Sequence, residues 1–431
     1  MHSSNLAPQT DSNSGTTEGL NCAKSWNHKG RGVDGLDWVG CEVGRKMDFD
    51  PNKEAYLLVP NSVLNIESNK SKTFDLKSIF FTSYVQQMFF QHRQHREGFY
   101  QIKGSTIKFL LGSSFYLPII EYLTDNGIIE RDNHYIIGEK AIGYRIAPSA
   151  RGNIKRILIK NKTIAKKINQ LREMKIQTRN ETERKLAEII RDRVEIMNPF
   201  FVIDYAKSIY QGESLVYAVM AIDALENGDI FFCSDPKTGR VFSNISNFPR
   251  ELRGTLMIDR QPTVEVDIKC AQPLFLAGLY EDGEPEKEKF LDVVLNKDFY
   301  TWLGEKSGAK WDSRDLLKEK IFIQVFFDRL RQFEEKDGRL WIGFKEQFPV
   351  LSKAIKGVKT PDHSALALRL QSIEAKVMIS GAAQELLGEG IPIATVHDSI
   401  ICKEGDKDRV VEAIKSNCKR VMGVEPQVSV K

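Results

Sequence analysis

Apolar residues fall at helical spacing from Leu117 to Leu123, and Asn126-Gly127 closes that run as a helix C-cap does. Short strand-like pieces follow at 128–130 and 134–137, across a polar turn at 131–133. In ETERKLAEIIRDRVEIM, Leu186, Ile189, Ile190 and Val194 share one face and charges the other, which predicts an amphipathic helix. Residues 155–177 offer a second, basic helix. Farther on, Val264-Glu265-Val266-Asp267-Ile268 alternates as a half-buried strand does, and CAQPLFLAGLY continues as an apolar helix. Ile393 to Ile401 reads as two apolar strand segments flanking the polar pair His397-Asp398, as in a hairpin. From residue 200 onward, strands and helices alternate without internal repeats, and the fold class expected is α+β.

These patterns divide the chain into four parts. Residues 1–50 are rich in Ser, Asn, Gly and Thr and read as a flexible tail. Residues 51–150 form a small module whose order of helix, turn and hairpin resembles a winged helix-turn-helix. Residues 151–235 form a basic helical segment, and 236–431 a catalytic unit. Composition fits a folded chain: 431 residues allow two to four domains, and 41% hydrophobic with 28% charged residues excludes collagen-like, coiled-coil and fully disordered chains. The first residues, MHSSNLAPQTDSNSG, show no charged-then-apolar leader pattern, and no run approaches the roughly 18 apolar residues of a membrane span. The six cysteines are scattered singly, without the spacing of a zinc knuckle or a disulfide framework. A soluble, cytoplasmic protein is expected.

The net charge of +4 does not by itself announce a polyanion partner. Its distribution changes the picture. Residues 151–200 hold 14 Lys and Arg against 6 Asp and Glu, a local +8, so the rest of the chain carries −4. Such a run is either a solvated face or an arm that tracks phosphates.

Two carboxylates stand out. Asp267 closes a strand, and Asp398 lies between two β-rich runs, where a polar pair is costly unless it occupies a tight turn or does chemistry. Turn aspartates and N-caps share this pattern. The functional alternative is a pair of Mg²⁺ ions about 3.5–4 Å apart, held by two carboxylates and substrate phosphates for phosphoryl transfer.

Taken in order, the segments resemble the palm and fingers of family A DNA polymerases and the related single-subunit phage-type RNA polymerases. The resemblance covers roughly residues 236–425. It is carried by Thr238-Gly239-Arg240 with Ser243, Asn247, Pro249 and Arg253. It continues through Asp267 in motif A and Arg314-x₃-Lys318-x₃-Phe322-x₃-Phe326 in motif B. Gln371 in Gln-Ser-Ile-Glu-Ala-Lys, and His397-Asp398 in motif C, complete it. Phe344 and Phe348-Pro349-Val350 echo the motif after the fingers. In motif B, steps of four place all four side chains near one helix face. The resemblance implies a right-hand core, with fingers at about 284–360 and a thumb-like segment in 151–235. It assigns two Mg²⁺ to Asp267 and Asp398 and the triphosphate to Arg314 and Lys318, with Lys318 also the proton donor. Phe322, Phe326 and Gln272 would line the base and sugar pocket. Arg240, Arg253, Gln371 and His397 would hold the primer–template.

The departures matter. Motif B ends Phe326-Phe327 instead of Tyr-Gly. Gln272 stands where DNA enzymes carry a glutamate that blocks a 2′-hydroxyl; its similar volume excludes that hydroxyl or its amide binds it. Motif C reads His-Asp-Ser, as in the RNA enzymes. Gln272 and Phe326 lean towards dNTPs. The expectation is therefore a primer-extending DNA polymerase without a proofreading nuclease, working with primer–template, nucleoside triphosphates and other replication proteins. Its compactness suits a phage or another mobile element. The alternatives are an RNA polymerase or primase, and a non-catalytic DNA-binding replication factor on a degenerate palm.

Overall fold

The computed structural model describes residues 55–431 except 67, 92–97, 133, 137–139, 309–311, 328–337 and 361. The expected tail at 1–50 lies outside the described residues. The fold is α+β. Its strands are β1 (Ala55–Pro60), β2 (Tyr100–Gln101), β3 (Ile129–Arg131), β4 (Gly143–Ile146), β5 (Ile154–Ile159), β6 (Val194–Ile196) and β7 (Phe232–Ser234). Then come β8 (Val241–Ser243), β9 (Leu256–Ile258), β10 (Gln261–Ile268), β11 (Ile393–Val396), β12 (Ser399–Lys403) and β13 (Val428–Val430). No described helix is long and apolar enough to cross a membrane.

The first core is built from helices Lys72–Gln91, Gly104–Leu111 and Tyr116–Asp125, with a small sheet ordered β2-β4-β3. The helix expected at 117–123 spans Tyr116–Asp125, with Ile119, Ile120 and Leu123 buried. Asn126 caps it, and Gly127 supplies the positive φ of +66° that ends it. The strand that pairs with Ile129 is Gly143–Ile146, and the expected strand at 134–137 lies partly outside the described residues. Tyr144 and Ile146 bury themselves there, whereas Tyr135 and Ile136 stay exposed and Ile136 makes only an isolated bridge to Lys140.

The basic stretch from 151 is not one helical arm. Its first part, with the β-branched sequence Ile-Lys-Arg-Ile-Leu-Ile, pairs antiparallel with β1 from Ala55 opposite Ile159 to Pro60 opposite Ile154. Asn161 then caps helix Lys162–Met174 by accepting the Ile164 N–H at 3.1 Å. Ile164 and Ile168 of that helix join the first core. Asn180 caps helix Glu181–Asp192 in the same way, accepting the Glu183 N–H at 2.9 Å. Leu186, Ile189 and Ile190 of this helix join the second core, and Val194–Ile196 leaves the helix to pair with β9. Part of the local positive charge is taken up by ion pairs within the chain. Arg156 meets Asp223 at 3.5 Å, Lys175 meets Asp229 at 2.7 Å, and Arg193 meets Asp259.

The second core surrounds a sheet ordered β11-β12-β10-β9-β6, with β13 also on β10. Val266 and Ile268 of β10 and Ile400 and Cys402 of β12 are buried, close to helix Lys407–Met422. That helix packs on helix Ala365–Val377. Burying each such side chain contributes about 1.5–3 kcal/mol. The alternation that buries Val266 and Ile268 turns Asp267 to the other face.

Candidate active site

Two strand ends bring the paired carboxylates together. Asp267 of β10 lies opposite Ser399 of β12, and the Ile268 N–H donates to the Asp398 carbonyl at 3.2 Å. Asp398 follows His397 in the two-residue turn between β11 and β12, as the hairpin pattern suggested. His397 holds φ at +54°, an uncommon left-handed conformation for a residue with a side chain. Cys270, just past β10, holds +53°.

Both aspartates line a polar cavity of about 620 Å³, together with Gln272, Arg314, Lys318 and Phe322. Tyr300 and Lys431 line it too. The acidic wall is electrostatically loaded. Burial, and then the carboxylates of Glu374 and Asp267, push Asp398 up to about 7. The Lys431 ammonium reaches Asp267 Oδ2 at 2.6 Å.

Other parts of the lining are basic and aromatic. Ser313 caps helix Arg314–Ile321 by accepting the Leu316 N–H at 3.2 Å, which places Arg314 in the first turn. Arg314 donates to both oxygens of Asp298, at 2.7 and 2.8 Å, and holds that carboxyl below its ordinary range. The Lys318 ammonium lies 5.5 Å from the ring centre of Tyr300 and 5.8 Å from that of Phe322. Those two rings stack at 6.2 Å and 24°. Burial pushes the Tyr300 phenol far up.

The expected step of four holds only to Phe322. There the helix widens into a π-helical turn, Phe322–Phe327. Phe326, inside that turn, is fully buried and outside the cavity lining, its ring 5.1 Å from that of Phe322. Phe326 therefore backs the pocket through Phe322 instead of lining it.

The residues expected on the duplex are partly committed elsewhere. Arg240 donates to both oxygens of the buried Glu374, at 2.7 and 2.8 Å. Gln272 Nε2 donates to the same carboxylate at 3.1 Å. Arg253 meets Glu265 at 3.1 Å, and the Ser399 hydroxyl donates to Glu265 at 2.7 Å. Gln371 is half-buried on helix Ala365–Val377, one turn before Glu374. The His397 ring meets Phe242 edge-on at 6.0 Å, and burial lowers its pKa to about 4, so the imidazole is neutral.

Tyr300, Glu374 and Lys431 escaped the sequence reading. Only Lys431 left a trace, in the alternation of Val428-Ser429-Val430-Lys431. Tyr300 and Glu374 become part of the site only through packing.

The residues present suit Mg²⁺. Among the described residues, no group of three or more His, Cys, Asp or Glu forms a closed metal cage. Mg²⁺ is commonly held by one or two carboxylates plus phosphate oxygens, and Asp267 and Asp398 provide such a pair. A lysine ammonium already stands on one of them as a stand-in cation.

No protein-family model and no curated protein matches the sequence. Among solved structures, the chain is similar to the POL domain of Pol1 from M. smegmatis, solved in complex with DNA primer-template and dNTP. The TM-score is 0.37 and the identity 14%, over 53% of this chain and 55% of that one, so the chain spans about half the length of that neighbour.

Proposed function

We propose that the protein is a template-dependent nucleotidyltransferase that adds deoxynucleotides to a primer 3′-hydroxyl. We read its core as a compact right hand with a winged-helix-like module in front. The reading rests on the 620 Å³ cavity, whose lining brings Asp267 and Asp398 together with Arg314 and Lys318. That pairing of charges fits a nucleoside triphosphate with divalent cations.

Asp267 and Asp398 would hold two Mg²⁺. When bound, the ions supply activation of the attacking hydroxyl and neutralisation of the departing pyrophosphate. Arg314 and Lys318 bind the triphosphate, the former by a fork already oriented by Asp298. Lys318 Nζ would hand a proton to the pyrophosphate oxygen as the bond breaks. Phe322, backed by Phe326 and stacked on Tyr300, offers the base a flat apolar face. Gln272, tethered to Glu374, fills space beside the sugar and excludes a 2′-hydroxyl. Gln371 and the neutral His397 contact the primer–template. Arg240 and Arg253 join them by exchanging Glu374 and Glu265 for nucleic-acid acceptors.

The test is extension of a labelled primer on templates of different sequence, with Mg²⁺ and either dNTPs or rNTPs. Template-dictated products from dNTPs are expected. Extension by rNTPs alone would overturn the deoxynucleotide assignment. Extension independent of template would overturn the polymerase reading.

A further inference from the structure

Among the basic residues that line the cavity outside the Arg314 helix, Lys431 stands directly on one of the aspartates. Lys431 follows β13, and its backbone is fixed against β10. Its N–H donates to the Glu265 carbonyl at 3.0 Å, and the Glu265 N–H donates back at 3.1 Å. Asp267 lies opposite Ser429 in the same ladder. The side chain is less constrained, being 45% exposed, and its ammonium lies 2.6 Å from Asp267 Oδ2. Two cations on one carboxylate oxygen repel, so a divalent ion reaching Oδ2 has to displace the ammonium. The strand need not move for this, because only rotatable methylene bonds turn.

We propose that Lys431 is a positioning residue for the cation site: it orients and neutralises Asp267 while no divalent ion is there, and competes with that ion for the same oxygen. This rests on the reading of Asp267 as a cation ligand. The affinity of the site for divalent ions is then set partly by how readily Lys431 lets go.

The experiment measures Mn²⁺ binding to the full chain without nucleotide, by electron paramagnetic resonance of free Mn²⁺. Wild type is compared with Lys431→Met, Lys431→Arg, Asp267→Asn and Lys431→Met/Asp267→Asn. Lys431→Gln serves as a second neutral variant should Lys431→Met not fold. Removing the ammonium is expected to tighten binding about two- to fivefold, the range of a partly exposed ion pair. Lys431→Arg is expected to restore the wild-type affinity, and Asp267→Asn to abolish the gain. Unchanged or weaker binding on neutralising Lys431, with Asp267→Asn still weakening it, would overturn the role of Lys431 and leave the cation site standing. If neither wild type nor the neutral Lys431 variants bind Mn²⁺ through Asp267, the cation site and this inference fall together.

Discussion

Lys318 reaches the cavity between the rings of Tyr300 and Phe322, whereas Arg314 shares its charge with Asp298. The two cations therefore differ in what a phosphate gains from them. A new charge-assisted hydrogen bond to Lys318 is worth about 1.5–3 kcal/mol, equivalent to roughly ten- to a hundredfold in binding. Lys318→Met is expected to raise the KM for nucleotide by at least about tenfold. Steady-state single-nucleotide incorporation measures this, and an unchanged KM would remove Lys318 from the triphosphate site. The positions of Asp267, Arg314, Lys318, Phe322 and Asp398 were legible because strand alternation and helix spacing are local. Their partners were not. The Arg240 pair with Glu374 spans 134 residues, and so does the Ser399 bond to Glu265. Nothing local to Arg240 records that its guanidinium is already taken.

At the scale of elements, helix caps and local widening decide where the simple periodicities fail. Residues 155–177 read as one basic helix, yet Ile154–Ile159 is a strand because β1 is there to pair with it and Asn161 restarts the chain as a helix. Pairing with a strand a hundred residues away leaves no mark in helical spacing. In the motif of four-residue steps, Phe322 lines the cavity while Phe326, within the π turn Phe322–Phe327, is fully buried. The two rings should then respond differently to truncation. Phe326→Ala is expected to destabilise the fold by about 3–5 kcal/mol, as a fully buried aromatic does. Phe322→Ala, at a half-buried wall of the cavity, is expected to cost less stability and to act mainly on nucleotide KM. Urea unfolding of the two variants beside their kinetics checks this. Equal loss of stability would contradict the assignment of Phe322 to the cavity and Phe326 to the core.

At the scale of the whole molecule, the local +8 of residues 151–200 does not form one solvated arm, because buried acids draw part of it inward. Arg156 faces Asp223 of helix Gly212–Glu226, and Lys175 faces Asp229 just beyond that helix. Burial outweighs Arg156 there, pushing Asp223 up to about 6 and Glu226 up to about 7. Both acids hold a proton in the folded chain at a pH where the unfolded chain has lost it. Their contribution to stability is therefore full below the ordinary carboxylate range and is lost as pH rises through about 6 and about 7. Glu226→Gln lacks this loss, so its thermal midpoint should gain on wild type between pH 5 and pH 8; parallel midpoints would contradict the burial of Glu226. The α+β class and the hairpin bearing Asp398 were readable from the sequence. The division of the basic segment between two cores was not, since it depends on which distant acids the segment meets. The proposed nucleotide transfer depends first on Asp267 and Asp398. The measurement that tests it most directly is primer extension by wild type and Asp398→Asn with Mg²⁺, alongside their affinity for the same primed template. Template-dictated extension is expected from wild type and none from Asp398→Asn, with template affinities within about twofold of each other, since Asp398 contributes no phosphate-neutralising charge. Extension by Asp398→Asn at the wild-type rate, or no incorporation by wild type with Mg²⁺ or Mn²⁺ on any template, would contradict it.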